Sequence, residues 1–224
     1  MNDYLKSKAS SLLLEIARCE NVISAKNNEK NPCKKIVDIQ SNADYFQVPE
    51  AWNGDITTAK ILFISSNPSY NPNEEGYPSV HCLDEDIIEF FSNRFSNDYY
   101  KKIRWNTYLK KYTSWILDDV KFDEASQYIC STEIVHCKSK SESGVKNACD
   151  VCAGKWLDKI LGVFQGEYIV LLGAWVKKWY ENNKDNAEFK NLTKFNPIIM
   201  PHPNARGITD IYRLEIIDQW KNEG

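Results

Sequence analysis

The chain has 224 residues, with 28 Lys and Arg against 31 Asp and Glu, a formal net charge of −3; it has no general attraction for nucleic acid, so any DNA contact must come from a local basic surface. At 42% hydrophobic and 26% charged it reads as one ordinary globular domain over 1–224, without disorder on the scale of a domain. The longest apolar stretches, such as Tyr168-Ile169-Val170-Leu171-Leu172, are far too short to span a bilayer, and residues 1–11 lack the apolar core of a signal peptide, which implies a cytoplasmic protein with no membrane partner.

Seven cysteines in such a chain argue against a disulfide framework, because the cytosol keeps thiols reduced. Metal or cluster ligation and plain free thiols remain as the alternatives.

In chain order, Leu5, Leu12, Leu13, Ile16 and Val22 recur at helical spacing and predict a helix over 3–25, closed by a polar loop at Asn27 to Pro32. Residues 34–60 are irregular, with Pro49 and Asn53-Gly54 marking turns. A buried strand follows at 61–65. The loop 66–82 carries Pro68, Pro72, Gly76 and Pro78, and ordered loops of that length are more often functional than accidental. Helices are expected at 84–93 and 101–119, a strand at 128–135, and a helix at 146–163 with Cys149, Cys152, Trp156 and Ile160 on one face. Further strands at 168–172 and 196–200 are each followed by a helix, at 174–182 and 210–220. Strands alternating with helices predict a three-layer α/β/α sandwich around a central four-stranded parallel sheet.

Two of the strands run into proline-punctuated polar loops, Ser65-Ser66-Asn67-Pro68-Ser69-Tyr70-Asn71 and Pro201-His202-Pro203-Asn204-Ala205-Arg206-Gly207. Ligands of open α/β sheets bind beyond the carboxyl ends of the strands, so both loops lie where chemistry is expected. The amide of Asn67, stiffened by Pro68, is too weak to be a base but can orient a water for a reaction that is mostly bond breaking. His202 can donate a hydrogen bond to an oxygen that gains charge as a leaving group departs. Turn capping for Asn67 and a purely structural role for His202 are the plainer alternatives.

These loops, their order and the segment between them resemble the uracil-DNA glycosylase superfamily, over about residues 45–220. Asn67 falls where the Asn-dependent members carry their catalytic amide, and His202 matches the histidine of the last motif. Thr132-Glu133-Ile134-Val135-His136-Cys137, followed by Cys152, is similar to the pattern of the iron–sulfur (family-four) branch, and Leu171-Leu172-Gly173 fits its third strand. The resemblance implies a monomeric, monofunctional DNA glycosylase that flips a base out of the stack and hydrolyses its N-glycosidic bond, with DNA as partner. No lysine is placed as an obvious Schiff-base nucleophile.

The resemblance also assigns residues. Glu133, Tyr70, Tyr77 and Ser66 become base-binding, Tyr77 or Tyr70 as the packing aromatic; Asn204, Arg206 and Ser69 become DNA-binding, Arg206 as the duplex wedge. Cys19, Cys33, Cys137 and Cys152 become the four ligands of an iron–sulfur cluster, with Cys149 as a competing ligand and zinc or unligated thiols as alternatives. The sequence departs from the family in the wide spacing of Cys19 and Cys33, in Ser65, Ser66 and Ser69, and at Glu133, where uracil-specific members read the base with an Asn.

An ionised Glu only accepts hydrogen bonds, and a cytosine edge offers an exocyclic amine to such an acceptor. Glu133 therefore tilts the substrate toward a cytosine derivative, such as glucosylated hydroxymethylcytosine in phage defence, unless its carboxyl is protonated. Uracil excision in base-excision repair and a non-catalytic nucleic-acid-binding module are the competing expectations, and a salt-bridged surface Glu is the plain alternative for Glu133.

Overall fold

The computed structural model describes residues 2–40, 46–96, 101 and 103–223. Its centre is a five-stranded sheet of β1 (Trp52–Asn53), β2 (Ile61–Ser65), β3 (Ile129–Glu133), β4 (Tyr168–Leu172) and β5 (Ile198–Met200), in the order β1-β3-β2-β4-β5. β2 pairs in parallel with β3 and β4, and β4 in parallel with β5. The expected four parallel strands are thus extended by β1, which pairs antiparallel to β3. Two residues inside an irregular stretch carry no readable periodicity; β1 exists because the neighbouring chain is there, with the Thr132 hydroxyl donating to the Ala51 carbonyl at 2.6 Å.

Alternation along the strands sends side chains to two opposite faces, and each face is covered by helices. Leu62, Ile64, Cys130, Ile169 and Leu171 pack with Leu13 and Ile16 of α1 (Asn2–Ala17) and with Leu157 and Ile160 of α6 (Val145–Val163). Ile61, Phe63, Val170, Leu172 and Met200 pack on the other face with Leu109 and Tyr112 of α5 (Arg104–Ile116) and Ile217 of α8 (Asp210–Glu223). Burial on both faces explains why the strands read as continuous apolar runs rather than as alternation.

The helix expected over 3–25 is two helices, α1 and α2 (Glu20–Asn27), broken at Cys19, whose backbone is extended (φ −50°, ψ 124°). At the break Arg18 reaches Asp84, the first residue of α4 (Asp84–Ser92), and the carbonyls of Val80 and Cys82, while Cys19 turns inward and is buried. Tertiary partners, invisible to helical periodicity, set that break. A short helix α3 (Lys34–Val37) begins just after Cys33, and α7 (Ala174–Asn183) follows Gly173. Among the described residues, no helix is long and apolar enough to cross a membrane.

Candidate active site

The carboxyl ends of β2 to β5 lie along one edge of the sheet, and the loops leaving them are tied together. The chain after β2 continues to pair with the chain after β3: the amides of Ile134 and Val135 donate to the carbonyls of Ser65 and Ser66, Ser139 N–H to Pro68, and Tyr70 N–H to Ser139. Asn67 is held in this seam, its Nδ2 donating to Ser139 Oγ at 2.6 Å and to the Pro68 carbonyl at 2.9 Å. Its Oδ1, approached only by the Ser66 hydroxyl at 3.4 Å, keeps lone-pair capacity for a water.

A cavity of about 280 Å³ opens at this edge, and Asn67, Glu133 and His202, delivered by three different strand ends, all line it. Ser69 and Asn204 line it as well and are exposed. Tyr70 and Ser66 are half-buried and lie outside its lining, and Arg206 is exposed on the same loop as His202. Tyr77 is fully buried behind the cavity, its hydroxyl donating to the Val48 carbonyl at 3.1 Å and lying 3.4 Å from Glu50. The aromatic that does line the cavity is Trp105 of α5, whose ring centroid is 5.2 Å from that of His202.

His202 Nδ1 accepts the Asn204 backbone N–H at 3.1 Å, so in the neutral ring the proton sits on Nε2. Burial lowers its pKa, with Glu142 opposing, which keeps the ring neutral at pH 7. A neutral imidazole with an Nε2–H donor can hydrogen-bond a developing negative charge without first giving up a proton.

Glu133 is 6% exposed and accepts from the hydroxyl of Ser65, its register partner on β2. Burial, with the Glu50 charge adding to it, pushes its pKa well above the ordinary 4.5 despite Ser65 and Lys138. Burial thus favours the protonated carboxyl, and the expectation from an ionised, acceptor-only Glu changes. A neutral carboxyl presents one donor and one acceptor side by side, a pattern that matches both the N3–H and carbonyl of uracil and the N3 and amine of cytosine.

The sequence reading missed the cavity's inner wall, which is built from Glu50, Glu74, Arg94 and Lys138. Glu74 bonds Arg94 and, at 2.6 Å, Lys138, whose ammonium also lies 4.0 Å from Glu50 and 3.5 Å from the Tyr77 ring centroid. Burial alone would raise Glu74, but Lys138 and Arg94 outweigh it and hold the carboxyl below its ordinary range. In sequence these are scattered charges in loops, and only their burial marks them.

Cys19, Cys33, Cys137 and Cys152, named from the sequence as one set, line one small separate cavity together with His136. Cys149 lies outside that lining. Burial pushes the Cys33 thiol up to about 11, and Cys137 and Cys152 upward too. His136 donates from Nδ1 to the Glu50 carbonyl at 2.8 Å, and its buried Nε2 has no partner. Among the described residues no three His, Cys, Asp or Glu form a set arranged for one metal ion.

No family model matches the sequence, and no curated protein matches it.

Proposed function

We propose that this chain is a monofunctional DNA glycosylase of the uracil-DNA glycosylase type, acting on a modified or damaged base that has left the duplex stack. The observation that carries this reading is the convergence of Asn67, Glu133 and His202 on one cavity at the carboxyl edge of the sheet. Glu133 pairs with the edge of the flipped base. As the glycosidic bond stretches, the sugar gains oxocarbenium character and the base gains negative charge, which the Nε2–H of His202 stabilises. The Oδ1 of Asn67 orients the water that adds to the sugar. Asn204 and Ser69, exposed in the cavity lining, and Arg206, exposed on the His202 loop, hold and part the duplex.

Lys138 is the lysine in the cavity lining, but its ammonium is engaged by Glu74 and stacked on Tyr77. It offers no free amine for a Schiff base, so the reaction is hydrolysis without strand cleavage. Cys19, Cys33, Cys137 and Cys152 would hold an iron–sulfur cluster, whose contribution there is a covalent tie between the N-terminal helices and the segment after β3. Protonated, Glu133 offers a donor and an acceptor that fit a cytosine derivative, such as glucosylated hydroxymethylcytosine, and uracil alike, so both stand as substrate readings and Glu133 by itself does not choose between them.

The deciding experiment is base release from duplexes carrying uracil, hypoxanthine or modified cytosines, by the wild type and by Asn67→Ala. A glycosylase releases one of these bases, and the variant loses turnover while retaining DNA binding. DNA binding with no base released from any duplex would identify a non-catalytic binding module instead.

A further inference from the structure

We infer that the inner wall of the cavity is a subsite for a neutral, hydroxyl-bearing substituent on the target base, read by Glu50, Glu74, Arg94 and Lys138. This assignment rests on the glycosylase reading above and adds to it the chemistry of the group that the pocket accepts.

The four side chains line the same cavity as Asn67, Glu133 and His202. Lys138 is 2% exposed, Glu74 and Arg94 5% each and Glu50 9%. Burying four charges is costly, and apolar residues of similar volume commonly serve stability as well or better. Stability alone gives no reason for such a wall.

Its charge selects the ligand. Two carboxylates and two cations sum to zero, so a phosphate or carboxylate substituent meets two like charges, and so does an ammonium. A methyl group would strip water from the charged atoms and return no hydrogen bond. A hydroxyl both donates and accepts, and the wall offers both partners. Each carboxylate has about four lone-pair sites. Among the described residues, Glu50 Oε1 accepts from the Asn53 amide at 2.6 Å, and Oε2 lies 3.4 Å from the Tyr77 hydroxyl and 4.0 Å from the Lys138 ammonium. Glu74 takes one cation on each oxygen. Lys138 has three N–H donors; one is hydrogen-bonded to Glu74, and the ammonium also lies 4.0 Å from Glu50 and 3.5 Å from the Tyr77 ring centroid, so a ligand hydroxyl would share it with them.

Size agrees. The cavity of about 280 Å³ is many times the roughly 10–15 Å³ of such space that one water needs. A bare pyrimidine, whose covalently bonded atoms pack more tightly than separate waters, fills only part of it. Glu133, at the end of β3, and Lys138, five residues on, line the same cavity.

The test is single-turnover base release by the wild-type protein from matched duplexes carrying uracil, 5-methylcytosine, 5-hydroxymethylcytosine and its glucosylated form. The subsite predicts that at least one hydroxyl-bearing base is released at least about tenfold faster than both bases that lack the group. Release of the hydroxymethyl form alone limits the subsite to a small hydroxyl group; release of the glucosylated form extends it to a sugar; both support it. Uracil or 5-methylcytosine released as fast or faster overturns the subsite and leaves the glycosylase reading standing. No release from any duplex overturns both. Lys138→Met and Glu74→Gln, checked for folding by circular dichroism, are expected to reduce the ratio of hydroxyl-bearing to bare-base release by at least about tenfold. An unchanged ratio in folded variants counts against the assignment, and should neither variant fold, the wild-type panel still decides.

Discussion

Ser65 and Glu133 are register partners on adjacent parallel strands, and the Ser65 hydroxyl donates to the Glu133 carboxyl inside the cavity. Both are the last residues of their strands, so the sheet itself aims the carboxyl. The remaining oxygen and the carboxyl proton are then available to a base.

That arrangement makes the protonation of Glu133 testable. Glu133→Gln keeps one donor and one acceptor at the same position and is expected to retain base release within about tenfold, whereas Glu133→Ala loses about 100-fold or more. Burial and Glu50 raise the folded pKa above the ordinary 4.5, so the required proton is held to higher pH than on a free carboxyl and is lost as pH rises through the folded value. Wild-type release should fall on the alkaline side, and the Gln variant, which has no such proton to lose, should not show that limb. A pH–rate profile of both proteins decides; identical alkaline limbs reject the neutral carboxyl.

Gly173 supports His202 from β4. Its backbone (φ 96°, ψ 160°) is a conformation open essentially to glycine, and a Cβ there would sit 3.4 Å from His202 Cβ. Gly173→Ala should cost about 1–3 kcal/mol of stability and slow base release as the strained backbone shifts against the His202 side chain it touches. Denaturant melts paired with single-turnover rates check both effects, and an unaltered rate in a destabilised protein would remove the link to His202.

Glu74 predicts an acid limb in stability. Lys138 and Arg94 hold its folded pKa below the ordinary 4.5, so its contribution is complete above that value and lost as pH falls through the folded one. Glu74→Gln should destabilise the protein by about 3–5 kcal/mol at neutral pH, by leaving two buried cations short of a partner. It should also flatten the dependence of unfolding free energy on pH in the acid range. Urea titrations from neutral to acid pH measure both.

The four-cysteine cavity predicts a coloured protein. After anaerobic purification, bound iron and sulfide should give visible absorbance that Cys33→Ser or Cys152→Ser diminishes, together with a lower Tm. Colourless, iron-free protein with an unaltered Tm in both variants would falsify the cluster.

Much of this architecture was legible in the linear chain. Strands buried on both faces must read as short apolar runs, so β2 to β5 and the loops that follow them could be located from residues such as Ile61 to Ile64 and Ile198 to Met200. The same runs put Asn67 and His202 at strand ends. What sequence could not settle is anything that depends on who is nearby. β1 is two residues that pair only because β3 passes beside them, and the break at Cys19 needs Asp84, 65 residues away along the chain. Tyr77, plausible as a stacking ring from its loop, is taken out of reach by the core.

Local pattern determined the order of the four parallel strands and the loops that hold the candidate chemistry, because periodicity and turn chemistry act over a few residues. Tertiary structure decided the upward shift of the Glu133 pKa and the nature of the pocket's inner wall. Protonation depends on the dielectric and on neighbouring charges, and Glu50, Glu74, Arg94 and Lys138 become neighbours only when loops distant in sequence are folded against one sheet edge.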